Sequence, residues 1–251
     1  AQRRIRVILT LTNFWPDYGG IQRYVEWARA AGDLSVYRRE DFFSSPRCSQ
    51  SFERFVRALV TRVNSVSGIA YKDDPVIFSY QLINEPRLAG STTSDTFDEW
   101  ATRAAAFVKQ LDDSRHLVSC GTEGFFMRSE NVKFNPFAGA ERQGVDIESL
   151  GEIENLDWIA VHLWVDDWLD SDDESKFRFL DRWIRAHLET AGTKPLIIEE
   201  FGKHKPVSVR DRFFSRVFTL ASEDRRRPTS VGCLFWLLSP TSVNDYDGFT
   251  V

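Results

Sequence analysis

The sequence predicts an α/β fold, a (β/α)8 TIM barrel built from repeated βα units around a parallel sheet. Short apolar runs recur along the chain, each ending in polar or charged residues. Several runs, such as Ile5-Arg6-Val7-Ile8-Leu9 and Leu196-Ile197-Ile198, are nearly continuous, as strands covered on both faces are. Between them lie segments whose apolar residues fall at helical spacing, so strand and helix alternate.

Strands are expected at 5–13, 76–85, 116–123, 157–164, 195–202 and 231–239. A short helix is expected at 24–31. Phe52, Phe55, Val56, Leu59, Val60 and Val63 form one helical stripe. Trp100, Ala104, Phe107, Val108 and Leu111 form a second. Phe177, Leu180, Ile184 and Leu188 form a third, and Phe213, Phe214, Val217, Phe218 and Ala221 a fourth. The first interval between strands is much longer than the rest, so it must carry extra elements or a further strand. A barrel needs eight strands, and six are visible. The expectation is therefore one domain over residues 1–251, incomplete at both ends, with the first two βα units missing. An open six-stranded sheet leaves its outer strands unpaired, which predicts marginal stability.

Composition narrows the function. Apolar residues are 42% and charged residues 27%, a balance that excludes a disordered chain, a collagen and a coiled coil. The net charge of −5 provides no field to hold a phosphate backbone, so nucleic acid is not an expected partner. No apolar run approaches the roughly 18–20 residues that span a bilayer, so no membrane partner is expected. Ala1-Gln2-Arg3-Arg4 leads straight into a strand without the apolar core of a signal peptide. Cys48, Cys120 and Cys233 are far apart and odd in number, so buried thiols are expected rather than disulfides or a metal site.

In parallel α/β folds, ligands bind beyond the carboxyl ends of the strands. The second strand ends in Asn84-Glu85-Pro86-Arg87 and the third in Gly121-Thr122-Glu123-Gly124. The fourth ends in His162-Leu163-Trp164, the fifth in Glu199-Glu200-Phe201-Gly202, and the sixth contains Phe235-Trp236. Acids, a histidine and two tryptophans thus converge on one rim. Glycoside hydrolysis needs such a pair of carboxylates, one to protonate the leaving oxygen and one to attack the anomeric carbon or activate water. Their surroundings must differ so that their pKa values differ. Tryptophan faces beside them would stack on sugar C–H surfaces and exclude water.

These residues resemble glycoside hydrolase family five. Asn84-Glu85-Pro86 and Glu200-Phe201-Gly202 match its two signatures. Leu11-Thr12-Asn13-Phe14-Trp15 with Tyr18-Gly19-Gly20, Tyr71-Lys72-Asp73-Asp74-Pro75, Gly121-Thr122-Glu123-Gly124-Phe125 and Asp247-Gly248-Phe249 resemble its plant-like endo-β-mannanase subfamily, in order and over nearly the whole chain. The resemblance implies an endo-β-1,4-mannanase of retaining mechanism, secreted and acting on cell-wall mannan, glucomannan or galactomannan. It implies a monomer with a polysaccharide as its partner, and no cofactor or metal. Glu85 would be the general acid/base and Glu200 the nucleophile. Asn84 would hydrogen-bond the sugar 2-OH, His162 would line the site, and Trp236 would form the floor. Trp15, Arg87 and Glu123 would contact neighbouring sugars.

Two departures stand out. The family has a tyrosine, bonded to the nucleophile, where this chain has Trp164, whose indole can donate but not accept. The family also holds its nucleophile with an arginine from an earlier strand, and no residue here replaces it. These departures motivate a non-catalytic sugar-binding remnant as one alternative; the same enzyme class acting on another polymer, as a β-1,4-glucanase does, is a second. Adjacent strand residues face opposite ways, so only one of Glu199 and Glu200 should point into the mouth, and the motif selects Glu200.

The acidic stretch 166–174 lacks calcium-loop spacing and is expected to be a solvated loop. Arg225-Arg226-Arg227 reads as a wet turn after a helix. No His-Glu-x-x-His, Gly-x-Ser-x-Gly or phosphate-loop pattern is present.

Overall fold

The computed structural model describes residues 5–204, 206–223, 231–240, 245 and 247–251. The first four residues and the basic triplet at 225–227 lie outside the described residues. Six strands form a single parallel sheet in sequential order: β1 (Val7–Thr10), β2 (Ile77–Asn84), β3 (Leu117–Gly121), β4 (Ile159–Leu163), β5 (Leu196–Phe201) and β6 (Val231–Cys233). Every expected strand is present, each shorter than its apolar run. Sequential order sets the sheet apart from a doubly wound one, whose strand order reverses in the middle. All strand ends with the same polarity therefore meet on one rim.

The helices are α1 (Ile21–Ala30), α2 (Pro46–Val60), α3 (Asp95–Leu111), α4 (Ile147–Glu152), α5 (Val165–Trp168), α6 (Asp173–Thr190) and α7 (Val207–Glu223). The long first interval is filled by α1, α2 and short 3-10 turns rather than by another strand among the described residues. Ser45 caps α2 by accepting from the Cys48 amide, and Pro46 takes the first helical position, where its missing N–H costs nothing. The stripe assigned to this helix overran its end. Thr61 closes α2, Val63 is exposed in a bridge with Ala70, and Phe55 is also exposed. In α7, Phe213 and Val217 are buried, whereas Phe218 is exposed.

The buried apolar residues form two clusters. One lies under β1–β3 and α1–α3 and is centred on Phe42, Phe52 and Trp100. The other lies under β4–β6, α6 and α7 and is centred on Trp183, Phe201 and Phe213. They meet at β3 and β4, which share one registered pair, Gly121 with Ala160. Cys48 and Cys120 are buried as expected, while Cys233 is only half-buried.

Most acids of the stretch are exposed, as a solvated segment predicts, but Asp166 departs from it. Asp166 is buried within α5, where its carboxylate receives Lys176 at 2.8 Å, Lys203 at 2.9 Å and the His204 amide at 2.7 Å. These charge-assisted bonds hold its carboxyl below the usual value although burial opposes them. They also tie the segment after β5 to the segment after β4. Composition alone could not separate this residue from its exposed acidic neighbours.

Candidate active site

A cavity of about 780 Å3 opens at the carboxyl ends of the strands. Its lining includes Asn84, Glu85, Arg87, Glu123, Trp164, Glu200, Trp236 and Trp15, eight of the nine residues expected at the site. The ninth, His162, is fully buried directly beneath and touches both acids.

Glu85 directly follows β2 in a left-handed backbone conformation, φ +46°, which is costly for a residue with a side chain. Its amide donates to the Gly121 carbonyl at 2.7 Å, and Pro86 follows. The turn aims the carboxylate along the rim. Three donors then converge on it: Trp15 Nε1 to Oε2 at 2.6 Å, His162 Nδ1 to Oε1 at 2.7 Å, and Trp164 Nε1 to Oε1 at 3.1 Å. Burial pushes this carboxyl up, but these bonds and the His162 charge outweigh it and hold Glu85 below the usual carboxylate value.

Trp15 therefore binds the acid as well as lining the cavity. It sits on a loop tied to the strand ends, since the Phe14 amide donates to the Asn84 carbonyl at 3.0 Å and the Ile21 amide to the Asn13 carbonyl at 2.7 Å. Trp164 lines the cavity and, where the family's tyrosine bonds the nucleophile, its indole N–H reaches Glu85.

Glu200 stands across from Glu85. An oxygen of each acid and a ring nitrogen of His162 lie within 4.8 Å of one another. Among the described residues this trio is the group with metal-ligand spacing, but its Nδ1 is already committed to Glu85 by a hydrogen bond. Burial, with Glu85, Glu199 and Glu123 close by, pushes the Glu200 carboxyl up to about 7, against the pull of His162. No lysine or arginine among the described residues pairs with it, so its cationic neighbour is His162, 3.4 Å away.

Simple alternation fails at Glu199 and Glu200. Along β4 and β5 the register runs Val161 to Ile198 and then His162 to Glu200, which leaves Glu199 as an extra residue. This bulge turns both acids toward His162. Glu199 Oε2 lies 3.7 Å from Nε2, while Glu200 Oε2 lies on the Nδ1 side. Glu200 lines the cavity, and Glu199 sits below it, accepting from Gln81 Nε2 at 2.5 Å. A Cβ at Gly121 would press on the amide end of Gln81 at 2.7 Å and displace the group that bonds Glu199.

Arg87 and Glu123 pair through two hydrogen bonds, 2.5 and 2.6 Å. The guanidinium also lies over the Trp15 and Phe125 rings, 5.3 and 5.7 Å from their centroids. Trp236 donates to Asp247 at 2.8 Å, and Asn84 donates to Asn13 at 3.3 Å. Asn13, Asp17, Tyr18, Phe137, Asp167, Trp168, Asp247 and Phe249 also line the cavity and were not among the expected site residues. Asn13, Tyr18, Asp247 and Phe249 lie within motifs the sequence displays, so a signal existed for those four. Phe137 comes from a loop with no pattern of its own, and Asp167 from the short helix α5, within the acidic stretch that reads as solvated.

Residues 1–242 match the model of the "GH family 5 beta-mannosidase-like" proteins. The chain belongs to this family. It is 36% identical over 249 residues to mannan endo-1,4-β-mannosidase 1 of Arabidopsis thaliana, an overlap of 94% of this chain and 59% of that protein. It is 34% identical over 267 residues to mannan endo-1,4-β-mannosidase 7 of Oryza sativa subsp. japonica, covering 100% of this chain and 69% of that one. Among solved structures, the hyperthermostable endo-1,4-β-D-mannanase of Thermotoga petrophila RKU-1 superposes with a TM-score of 0.84 at 27% identity, covering 98% of this chain and 71% of that one. The chain thus spans about three fifths of the Arabidopsis relative's length. Within this glycoside hydrolase family 5 chain, both motif acids, Glu85 and Glu200, lie at the cavity.

Proposed function

We propose that this family 5 chain carries the catalytic centre of an endo-β-1,4-mannanase that cuts mannan, glucomannan or galactomannan with retention of configuration. The observation that carries this reading is the approach of Glu85 and Glu200 to within 4.8 Å at the floor of an aromatic-walled cavity. Retaining glycosidases place their carboxyls about 5–5.5 Å apart and inverting ones about 6.5–9.5 Å, and an approach of one oxygen of each acid to within 4.8 Å supports the closer class. On this reading Glu200 attacks the anomeric carbon while Glu85 protonates the leaving oxygen. Glu85 then takes a proton from the water that releases the glycosyl group. Trp236 and Trp164 offer faces to the reacting sugar, Asn84 reaches its 2-OH, and Arg87, Glu123 and Trp15 contact its neighbours. The six strands are then part of a (β/α)8 barrel, and residues 1–251 one catalytic domain of a secreted, monomeric enzyme.

Turnover needs one proton on the pair. With Glu85 held low and Glu200 raised to about 7, the single proton of the pair rests on Glu200 between those values, so attack requires its transfer to Glu85, and above the higher value the pair has none. The kcat/KM profile on galactomannan should therefore fall as pH rises through about 7. Glu200→Gln should abolish hydrolysis without unfolding the chain, and a Glu200→Gln protein that keeps most of its activity removes Glu200 as nucleophile.

A second reading is favoured by one observation, the absence of an arginine or lysine partner for Glu200 among the described residues. Such a chain would bind manno-oligosaccharides without cutting them. Calorimetric binding with no reducing-sugar release selects it. Faster release from carboxymethylcellulose than from galactomannan points instead to a glucanase.

A further inference from the structure

Glu199 is a buried acid to which the reaction above gives no part. Its side chain is only 10% exposed, a depth at which an unmatched carboxylate costs several kcal/mol. Gln81 donates to it at 2.5 Å, and Gln81 Oε1 in turn accepts from Thr10 at 2.9 Å. This chain of bonds across β1, β2 and β5 fixes the carboxylate behind the imidazole of His162.

That imidazole has acids on both sides. Nδ1 is 2.7 Å from Glu85 and 3.4 Å from Glu200, and Nε2 is 3.7 Å from Glu199. A neutral ring carries one N–H. Placed on Nδ1, that hydrogen leaves the Nε2 lone pair facing Glu199. Placed on Nε2, it leaves the Nδ1 lone pair against Glu85 at hydrogen-bond distance. Only the doubly protonated ring offers a hydrogen to Glu85 and a positive charge to Glu199, whose 3.7 Å approach to Nε2 is electrostatic, since Nε2 has no hydrogen-bond partner among the described residues. Further charged groups facing the cluster are Glu123, after the end of β3, Arg87, which is paired with it, and Asp167 of α5, across the cavity from Glu85. From α6 comes a neutral group, Trp183, whose indole donates to the His162 carbonyl at 3.1 Å.

We propose that Glu199 is a positioning residue: acting through His162, it holds an imidazolium fixed between Glu85 and Glu200. The imidazolium is then the site's own counter-charge, favouring the Glu200 carboxylate that attack requires. Burial opposes a charged ring, but Glu200, Glu199 and Glu85 together raise His162 well above its ordinary value. The catalytic consequence rests on the mannanase reading, while the protonation state of His162 does not.

The test is nitrogen-15 NMR of histidine-labelled protein, with His162 assigned among the four histidines by the signal lost in His162→Asn. In the unaltered chain both ring nitrogens should read as protonated at pH 7.5. Glu199→Gln keeps the shape and removes the charge, and it should lower the His162 midpoint by about one pH unit or more, with kcat falling about tenfold and KM changing less than about twofold. Glu199→Asp should restore the imidazolium and most of kcat. A neutral His162 at pH 7 in the unaltered chain overturns the proposal, as does an unchanged midpoint in Glu199→Gln. A shifted midpoint in a chain that never cleaves mannan removes the hydrolase reading and leaves the role of Glu199 toward His162 standing.

Discussion

Glu85 and Glu200 face one cavity from opposite halves of the sheet, and they are held in opposite ways. Glu85 belongs to the half built on β1–β3. Three donors satisfy it, and it lies below the usual carboxylate value. Glu200 belongs to the half built on β4–β6. It faces three other acids, it has no hydrogen bond of its own among the described contacts, and its carboxyl is raised to about 7. One acid is anchored, and the other is electrostatically strained. The aromatic cores beneath them differ in the same sense. Trp100 packs against Phe42, Phe43, Phe52 and Phe97 at 5.3–5.6 Å and serves the first core. Trp183 packs against Phe179 and Trp168, both at 5.6 Å, and also holds the carbonyl of His162. The second core is therefore wired to the site, whereas the first supports it through backbone and loop. Strain at a functional carboxylate is tolerated because the surrounding core over-determines its position.

The largest test of this contrast truncates both tryptophans. Trp100→Ala and Trp183→Ala should each cost about 3–5 kcal/mol in urea unfolding, the usual range for a buried aromatic. Equal losses with activity surviving in both would mean that the second core is not linked to the site.

A second test reads the two acids by their stability. Glu200 has a folded value near 7 against about 4.5 unfolded, so its contribution is present below pH 4.5 and is lost as pH rises toward 7. The difference amounts to about 3 kcal/mol as an order of magnitude, from 2.5 units at about 1.36 kcal/mol each. Glu200→Gln should thus melt higher than the unaltered chain at pH 8 and nearly level with it at pH 4.5. Glu85→Gln should melt lower at pH 8, because a carboxylate receiving three donors is replaced by a weaker acceptor. Equal shifts of one sign would erase the distinction between anchored and strained acid.

The smallest effect sharpens the wiring. Trp183→Phe keeps most of the ring and deletes the bond to His162, at a cost of about 1 kcal/mol. It should lower kcat more than Trp100→Phe does at a similar loss of stability. Paired urea curves and galactomannan assays on the two variants decide it.

Much of this was legible in the residues themselves. The order of strands and helices followed from runs such as Leu196-Ile197-Ile198, because a strand buried on both faces must be apolar throughout. The placement of Glu85, Glu200, Asn84 and Trp236 at one rim followed from their position at the ends of those runs. The legibility stopped where neighbours distant in sequence decide the outcome. Asp166 reads like its acidic neighbours until Lys176, Lys203 and the His204 amide close on it. Trp164 reads as a departure from the family's tyrosine, and only the fold shows that its indole donates to Glu85. Val63 continues a helical stripe that the chain abandons after Val60.

By itself, then, the amino-acid order determined a parallel βα architecture and the set of groups at its rim, since periodicity and strand-end chemistry are local properties. Tertiary structure alone decided which acid is satisfied and which is strained. It also decided, through a bulge opposite His162, that Glu199 joins them. Those outcomes depend on register between strands and on charges brought together from 85 to 200, and no local pattern carries that information.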